Sequence, residues 1–277
     1  MPDDSPFQAF ELLPGSQNQR LILFCDHARN KLPPSYGDLG LSRESLQRHI
    51  AYDIGAEAVT RRLAALTGAG AALAGFSRLL IDPNRGEDDP TLVMRISDGA
   101  IVPGNARIDA AEISRRVETY WRPYRRACAG LIDRARENGS IPALVGVHSF
   151  TPCMQGVARP WHVGVLWDRD DRLAAPLIEA LRAENLGAKN LVVGDNEPYD
   201  GALIGDSMYE LSTQRGLPGV LIEIRQDLVA TQDKCDAWAQ LLARVLPPIL
   251  LREDMRREEF FGSRADVVSR KDALPSA

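Results

Sequence analysis

Short apolar runs alternate along the chain with longer amphipathic stretches. Six of the runs are rich in Val, Ile and Leu and are bounded by polar, Gly or Pro residues, which is typical of buried strands. These predicted strands are Leu21–Cys25, Arg78–Ile81, Ala143–Val147, Val163–Trp167, Asn190–Val193 and Gly219–Ile224. The alternation predicts an α/β fold of three layers, in which a mostly parallel or mixed sheet carries helices on both faces.

Capping and stop signals set the bounds of the predicted helices. A capping box at Asp109–Glu112 opens a helix that reaches about Asn138. Ser42 opens another, which extends to about Leu66 and stops at Gly68. The remaining predicted helices are Asp170–Glu184, Asp206–Arg215 and Gln232–Leu246, the last of them ended by Pro247 and Pro248.

The chain shows no internal repeat and no linker-like break, so residues 1–277 are predicted to form one domain. The stretch Gly86–Arg107 has few periodic signals and is predicted to be a long loop, a type that is usually functional or mobile. From about residue 252 onward the chain is charged, and this tail is predicted to be peripheral.

Composition excludes several classes of protein. The net charge of −5, with both signs interspersed, argues against nucleic acid as a partner, because no basic stripe is available to displace counterions from phosphates. The N-terminus lacks the pattern of a signal peptide, and no apolar run approaches the roughly 20 residues of a membrane-spanning helix. The four cysteines are far apart, which indicates thiols in a reducing compartment. These features predict a cytoplasmic enzyme.

Polar side chains follow four of the predicted strands. In open α/β sheets ligands bind outside the carboxyl ends of the strands, so these residues are expected to converge on one crevice. The four groups are Asp26 with His27, then Asp82 with Asn84 and Arg85, then His148 with Ser149, and Glu223 with Arg225.

Histidine placement suggests a metal site. His27 and His148 stand at strand ends and could bind zinc, or could simply bond to backbone. His49 and Asp53 lie four apart on a predicted helix, where they could ligate or buttress a metal, or form a solvated or capping pair. His162, before an apolar run, is expected to be structural.

Two further features suit catalysis. Arg78 and Arg85 flank one predicted strand, an arrangement suited to carboxylate recognition and carbonyl polarisation, with a surface salt-bridge network as the alternative. Glu223 lies inside an apolar strand, where desolvation would raise its pKa and suit it to general-base work. An ion pair with Arg225 is the alternative for Glu223. No GxSxG or GxxxxGK[ST] motif supports a serine hydrolase or a phosphate-binding loop.

Six blocks of the chain together resemble the N-formylglutamate amidohydrolase family. They occur in family order between about residues 20 and 245: CDHARNKLP (25–33), HIAYDIGA (49–56), SRLLIDPNR (77–85), VGVHSFTP (145–152), GDNEPYDG (194–201) and VLIEIRQD (220–227). The resemblance extends to zinc carboxypeptidases and aspartoacylase. It implies a phosphorylase/hydrolase-like α/β fold, one zinc ion, a water activated by a glutamate, and arginines that hold a substrate carboxylate.

Carried onto this chain, the resemblance implies a role for each matching residue. His27 and His148 would be metal ligands, Glu223 the general base and Arg78 the group that polarises the scissile carbonyl. Substrate would be bound by Asn84, Arg85, Ser149 and Tyr199.

One position departs from the relatives. Zinc carboxypeptidases and aspartoacylase have His-x-x-Glu after the first strand, whereas this chain has His27-Ala28-Arg29-Asn30. A neutral amide is a poor zinc ligand, so the missing anionic ligand would come from Asp53 or Asp82, of which Asp53 is favoured.

The resulting hypothesis is zinc-dependent hydrolysis of a small anionic N-acyl amino acid. N-formyl-L-glutamate, which would yield L-glutamate and formate, is the favoured substrate, and the family name suggests a role in histidine catabolism. A carboxypeptidase or another deacylase could use the same residues on a different substrate. A non-catalytic amino-acid-binding protein is the alternative from another functional class, and Asn30 is the feature that favours it.

Overall fold

A mixed seven-stranded sheet forms the centre of the protein. A computed structural model describes residues 7–16, 20–186 and 189–266. The strands are β1 Phe10–Leu13, β2 Leu21–Cys25, β3 Gly70–Ala74, β4 Ala143–Phe150, β5 Val163–Leu166, β6 Val193–Asp195 and β7 Gly219–Arg225. Their spatial order is β1-β3-β2-β4-β7-β5-β6. Three short hairpins, each a pair of two-residue strands, lie outside this sheet in the described part of the chain. They are Ile96–Ser97 with Ala100–Ile101, Cys153–Met154 with Val157–Ala158, and Asn185–Leu186 with Lys189–Asn190.

Parallel pairing at the centre of the sheet brings three strand ends to one edge. Strand β2 pairs in parallel with β3 and β4, and β4 pairs in parallel with β7. The outer pairs β1–β3 and β7–β5 are antiparallel, while β5 and β6 are parallel. The carboxyl ends of β2, β4 and β7 therefore lie side by side, where a crevice is expected in a sheet of this kind.

Helices cover both faces of the sheet. They are α1 Arg43–Leu46, α2 Ala56–Thr67, α3 Ala110–Arg116, α4 Arg122–Glu137, α5 Ala174–Ala183, α6 Ser207–Leu211 and α7 Gln232–Leu250, with a π-helical segment at Val117–Trp121. Short 3-10 turns occur at Pro34–Tyr36, Pro103–Asn105, Thr213–Arg215, Gln226–Leu228 and Glu253–Arg256.

Side chains along β2 alternate between the two hydrophobic clusters that lie on opposite faces of the sheet. Leu21, Leu23 and Cys25 belong to a buried cluster that includes side chains of α2, α5 and α7. Ile22 and Phe24 point the other way, into a cluster that includes α4 and α6. The predicted α/β fold, with a mixed sheet between two helical layers, is confirmed. Among the described residues, no helix is long and apolar enough to cross a membrane.

Two strand predictions need correction, and two strands of the sheet were missed. Arg78–Ile81 is not a strand but part of a turn-rich loop that follows β3, and β3 and β1 were not predicted. Leu79, Leu80 and Ile81 are fully buried within this loop. The apolar run thus reflects burial of a loop and not pairing in a sheet, and an apolar run alone does not distinguish the two. The predicted strand Asn190–Val193 is displaced, because β6 begins only at Val193.

The predicted helix from Ser42 to Leu66 is divided in two. Ser42 does cap α1, and Gly68 does end α2, but residues 47–55 form turns. Gly55 has a φ of +82°, and a Cβ there would lie 2.5 Å from the carbonyl oxygen of Val229, so only glycine fits this approach. His49 and Asp53 therefore do not share a helical face.

Other helix bounds differ in smaller ways. Asp109 caps α3 as predicted, and the helix continues through the π-helical segment into α4. Helix α5 begins at Ala174, later than predicted, and α6 ends at Leu211. Helix α7 passes through both prolines to Leu250, because Leu246, Ile249 and Leu250 are buried and the missing N–H groups fall near its end.

The predicted loop and the predicted tail both have more structure than expected. The stretch 86–107 contains the hairpin at 96–101 and the turn at 103–105, and it forms one wall of the site described below. Residues 252–266 are not all peripheral, since Met255 is buried and Arg172 donates to the carbonyl oxygens of Asp254 and Arg257. Residues 267–277 of the predicted tail lie outside the described residues.

Candidate metal centre and active site

A cavity of about 450 Å³ lies at the carboxyl ends of β2, β4 and β7. It is bordered on the outside by the 86–107 loop, through Met94, Ser97 and Asp98. All nine candidate site residues line it: His27, Asp53, Arg78, Asn84, Arg85, His148, Ser149, Tyr199 and Glu223. The expected convergence on one crevice is therefore observed.

His27, Asp53 and His148 form a compact buried cluster. The Nδ1 atoms of His27 and His148 lie 3.3 and 2.9 Å from the same oxygen, Oδ2 of Asp53. One potential ligand atom from each residue lies within 4.8 Å of the others, which is close enough for all three to hold one metal ion. The backbone N–H of Asp53 donates to the carbonyl oxygen of His27 (2.9 Å), which positions the turn beside the end of β2.

Two further carboxylates fix the orientation of the histidine rings. Nε2 of His27 lies 2.7 Å from Oδ1 of Asp82, and Nε2 of His148 lies 3.2 Å from Oδ2 of Asp26. Both carboxylates are fully buried. Metal-binding histidines commonly donate their other ring N–H to a carboxylate in this way, and the nitrogen facing the cluster is then available as a ligand.

Asp26 lies at the centre of a network that sequence reasoning did not reveal. The hydroxyl of Tyr124 donates to Oδ1 of Asp26 (2.8 Å), and Oγ of Ser207 lies 2.5 Å from its Oδ2. Ser207 also contacts Asn84, whose Oδ1 accepts the backbone N–H of Ser207 (3.0 Å). Asn84 lines the cavity, and its amide nitrogen has no hydrogen-bond partner among the described residues. Tyr124 and Ser207 lie on helices far along the chain, with no local motif to indicate them.

Arg78 is held by the site and is not part of a surface network. Its Nε and Nη2 donate to Oδ2 of Asp82 at 3.1 and 2.7 Å, while Nη1 lies 3.7 Å from Oδ1 of Asp53. Arg85 is less constrained, since Nη1 donates to the carbonyl oxygen of Asn84 (2.8 Å) and Nε lies 4.0 Å from Asp89.

The electrostatics of the cluster depend on these pairs. Burial disfavours the ionised form of Asp53. The charge attraction and hydrogen bonds of His27 and His148 outweigh this effect of burial and hold the pKa of Asp53 below its usual range. Burial likewise opposes the ionisation of Asp82, and Arg78 with His27 holds the pKa of Asp82 well below its usual range. Burial lowers the pKa of His148, yet Asp26 and Asp53 raise it well above the usual value.

Glu223 differs from these carboxylates. It is buried at 8% exposure, and burial raises its pKa to about 7. Its Oε2 has no hydrogen-bond partner among the described residues. The alternative ion pair with Arg225 is not formed, because Arg225 donates to Asp227 (2.7 Å) instead. Glu223 is therefore a buried carboxylate that lines the cavity beside the cluster, and its Oε2 is left unsatisfied by the described part of the chain.

Three residues considered from the sequence lie apart from the cluster. Nε2 of His49 pairs with Asp98 (3.3 Å) at the cavity wall. Nδ1 of His162 accepts the backbone N–H of Val192 (2.9 Å), which agrees with a structural role. Asn30 donates to the carbonyl oxygen of Leu46 (2.7 Å) and does not line the cavity.

The raised pKa of Glu223 predicts a pH-dependent cost to stability. Because its pKa in the folded chain, about 7, exceeds its ordinary value of 4.5, the unfolded chain ionises first as the pH rises. Ionised Glu223 thus destabilises the fold increasingly between these values and fully above them. In metal-free protein, Glu223→Gln is expected to raise the free energy of unfolding at pH 8 by on the order of 2 kcal/mol. Urea unfolding at pH 8 and pH 5 measures this gain, which should shrink at pH 5; equal stabilities at pH 8 would contradict it.

Comparisons with known proteins agree with the resemblance of the sequence. The family model described as N-formylglutamate amidohydrolase matches residues 19–230. A search of the curated proteins gave no match. The crystal structure of a gene product from Agrobacterium tumefaciens has 32% sequence identity and a TM-score of 0.81, and the alignment covers 88% of this chain and 95% of that chain.

A second solved structure has the same fold. The N-formylglutamate amidohydrolase from Ralstonia eutropha aligns with a TM-score of 0.62 at 24% identity, over 87% of this chain and 96% of that chain. The family model spans well over half of the sequence, and all nine candidate site residues of the cavity fall inside the matched range. The chain therefore belongs to the N-formylglutamate amidohydrolase family.

Proposed function

We propose that this protein is a zinc-dependent enzyme that hydrolyses N-formyl-L-glutamate to L-glutamate and formate. The observation that carries the proposal is the position of Glu223, a buried carboxylate with an unpartnered oxygen, in the same cavity as the cluster of His27, Asp53 and His148. Family membership supports amide hydrolysis, and the side chains in the cavity support the division of roles described next.

The donor set suits zinc. Two imidazole nitrogens and one carboxylate oxygen are typical of catalytic zinc sites, which keep a further position for water. Asp53 would supply the anionic ligand, a role that the neutral amide of Asn30 cannot take, while Asp82 contacts the opposite nitrogen of His27 and acts in support. When bound by His27, Asp53 and His148, zinc would act as a Lewis acid and lower the pKa of a water molecule.

The remaining residues divide the reaction among them. Glu223 accepts a proton from the attacking water and returns it to the amide nitrogen as the C–N bond breaks, which releases formate and the free amine. Arg78 is fixed by Asp82 and stabilises the negative charge that develops on the carbonyl oxygen. Asn84 and Arg85 bind the substrate carboxylate from one wall, and Ser149 and Tyr199 complete the substrate contacts.

A substrate panel tests the proposal. Zinc-supplied protein is incubated with N-formyl-L-glutamate, N-acetyl-L-glutamate and a dipeptide that ends in glutamate, and free amine is measured for each. We expect N-formyl-L-glutamate to give the highest kcat/KM. A higher value for the acetyl compound or the dipeptide would identify a different deacylase or a carboxypeptidase. Binding without turnover of any substrate, measured by calorimetry, would favour the non-catalytic alternative.

A further inference from the structure

We propose that Arg159 is a specificity-determining residue that binds the side-chain carboxylate of the substrate. Arg159 lies between residues 152 and 194, outside the six blocks that carry the resemblance to the family. The inference rests on the proposed function, and it adds a second anion-binding position beside the cavity, separate from Asn84 and Arg85.

Arg159 is positioned by the hairpin that follows β4. Its backbone N–H donates to the carbonyl oxygen of Pro152 (2.9 Å), which closes the hairpin at 153–158. Its own carbonyl oxygen accepts from Nη1 of Arg225 (3.3 Å), at the end of β7. The backbone of Arg159 is therefore tied to the two strands that carry His148 and Glu223.

The half-buried guanidinium of Arg159 does not itself line the cavity but contacts residues that do. Its Nη1 donates to the hydroxyl of Tyr199 (3.0 Å) and to Oγ1 of Thr151 (3.3 Å). Its Cζ lies 5.0 Å from the ring centroid of Tyr199 and 5.8 Å from that of Phe150. Phe150, Thr151 and Tyr199 all line the cavity that contains Glu223. Aromatic stacking and the two hydroxyls hold the guanidinium in one orientation, which reduces the entropy lost when an anion binds.

The charge of Arg159 is not matched by the protein. Across residues 7–16, 20–186 and 189–266, no carboxylate lies within 4.0 Å of it, and its Nε and Nη2 have no partner. Neighbouring arginines differ, because Arg78 pairs with Asp82 (2.7 Å) and Arg225 with Asp227 (2.7 Å). A guanidinium with two unused donors suits bidentate binding of a carboxylate.

The site needs such a cation if its substrate has two carboxylates. Arg78 and the two histidines are already paired with Asp26, Asp53 and Asp82, and Glu223 adds another carboxylate to the cavity, so this cluster leaves no cation free for a second substrate carboxylate. Arg85 follows β3 and Arg159 follows β4, so the two arginines come from loops on either side of β2. One carboxylate of an N-acyl dicarboxylic amino acid can thus be bound on each side.

The test compares two substrates that differ only in the charge of the side chain. We measure kcat/KM for N-formyl-L-glutamate and N-formyl-L-glutamine with wild type, Arg159→Gln, Arg159→Lys and the control Arg244→Gln, a surface variant on α7. For Arg159→Gln we expect the ratio of glutamate to glutamine substrate to fall by about 10- to 100-fold, as loss of a charge-assisted hydrogen bond predicts. For Arg159→Lys the ratio should fall less, and Arg244→Gln should keep the wild-type ratio.

Each other result has a defined meaning. An unchanged ratio in Arg159→Gln, or an equal fall for both substrates, would overturn the proposal, because Arg159 would then bind nothing or a group that both substrates share. Melting temperatures separate either result from misfolding. If wild type hydrolyses neither substrate, the proposed function fails, and calorimetry with N-acetyl-L-glutamate and N-acetyl-L-glutamine tests Arg159 independently. The inference is supported if wild type binds N-acetyl-L-glutamate more tightly than N-acetyl-L-glutamine and Arg159→Gln removes this preference. It is overturned if wild type shows no such preference.

Discussion

Replacing Glu223 with Gln is expected to lower kcat for N-formyl-L-glutamate by about 100- to 10,000-fold, the range typical of a lost general base. The amide has nearly the shape of the carboxylate but cannot accept the proton of the attacking water. Because Glu223 acts on the water and the leaving nitrogen, its loss should affect the transition state and leave KM almost unchanged. Steady-state kinetics on zinc-supplied protein would measure both constants.

A matched control separates this effect from general damage. Glu179 is exposed on α5, so Glu179→Gln makes the same chemical change away from the cavity and should keep wild-type kinetics. Zinc content should be the same in both variants and in wild type. If Glu223→Gln retains kcat within about threefold of wild type, a size far below typical general-base effects, Glu223 is not the base.

The double variant His27→Ala/His148→Ala is expected to lose its zinc. Wild type should bind about one zinc ion per chain, as a catalytic site of three protein ligands does. Removing both imidazoles leaves Asp53 as the remaining member of the cluster, and one carboxylate does not hold zinc tightly. Elemental analysis after dialysis should show a ratio near one in wild type and near zero in the variant, with no turnover.

His49→Ala is the control for this experiment. His49 lies at the wall of the same cavity but pairs with Asp98 and is not in the cluster, so its variant should keep zinc. Circular dichroism establishes that the double variant is folded. If wild type stays free of zinc when the metal is supplied, the zinc mechanism is wrong. A site that still binds N-formyl-L-glutamate would then act as a non-catalytic binding site.

The sequence by itself determined the fold class and most of the candidate site. Strand and helix periodicities are local, so the alternation of apolar runs predicted a mixed sheet with helices on both faces. Because parallel strands place their carboxyl ends at one edge, His27, His148 and Glu223 could be expected together from their positions after or within β2, β4 and β7.

Only the tertiary structure decided which groups contact one another. Asp53 joins the cluster because Gly55 turns the chain between α1 and α2, a conformation that the helical pattern of this stretch concealed. Asp26 with Tyr124, and the stacking of Arg159 on Tyr199, join residues far apart in the chain. Such contacts depend on packing between elements, whereas periodicity reports only which face of one element is buried. The unpartnered oxygen of Glu223 and the uncompensated charge of Arg159 could therefore be recognised only after folding.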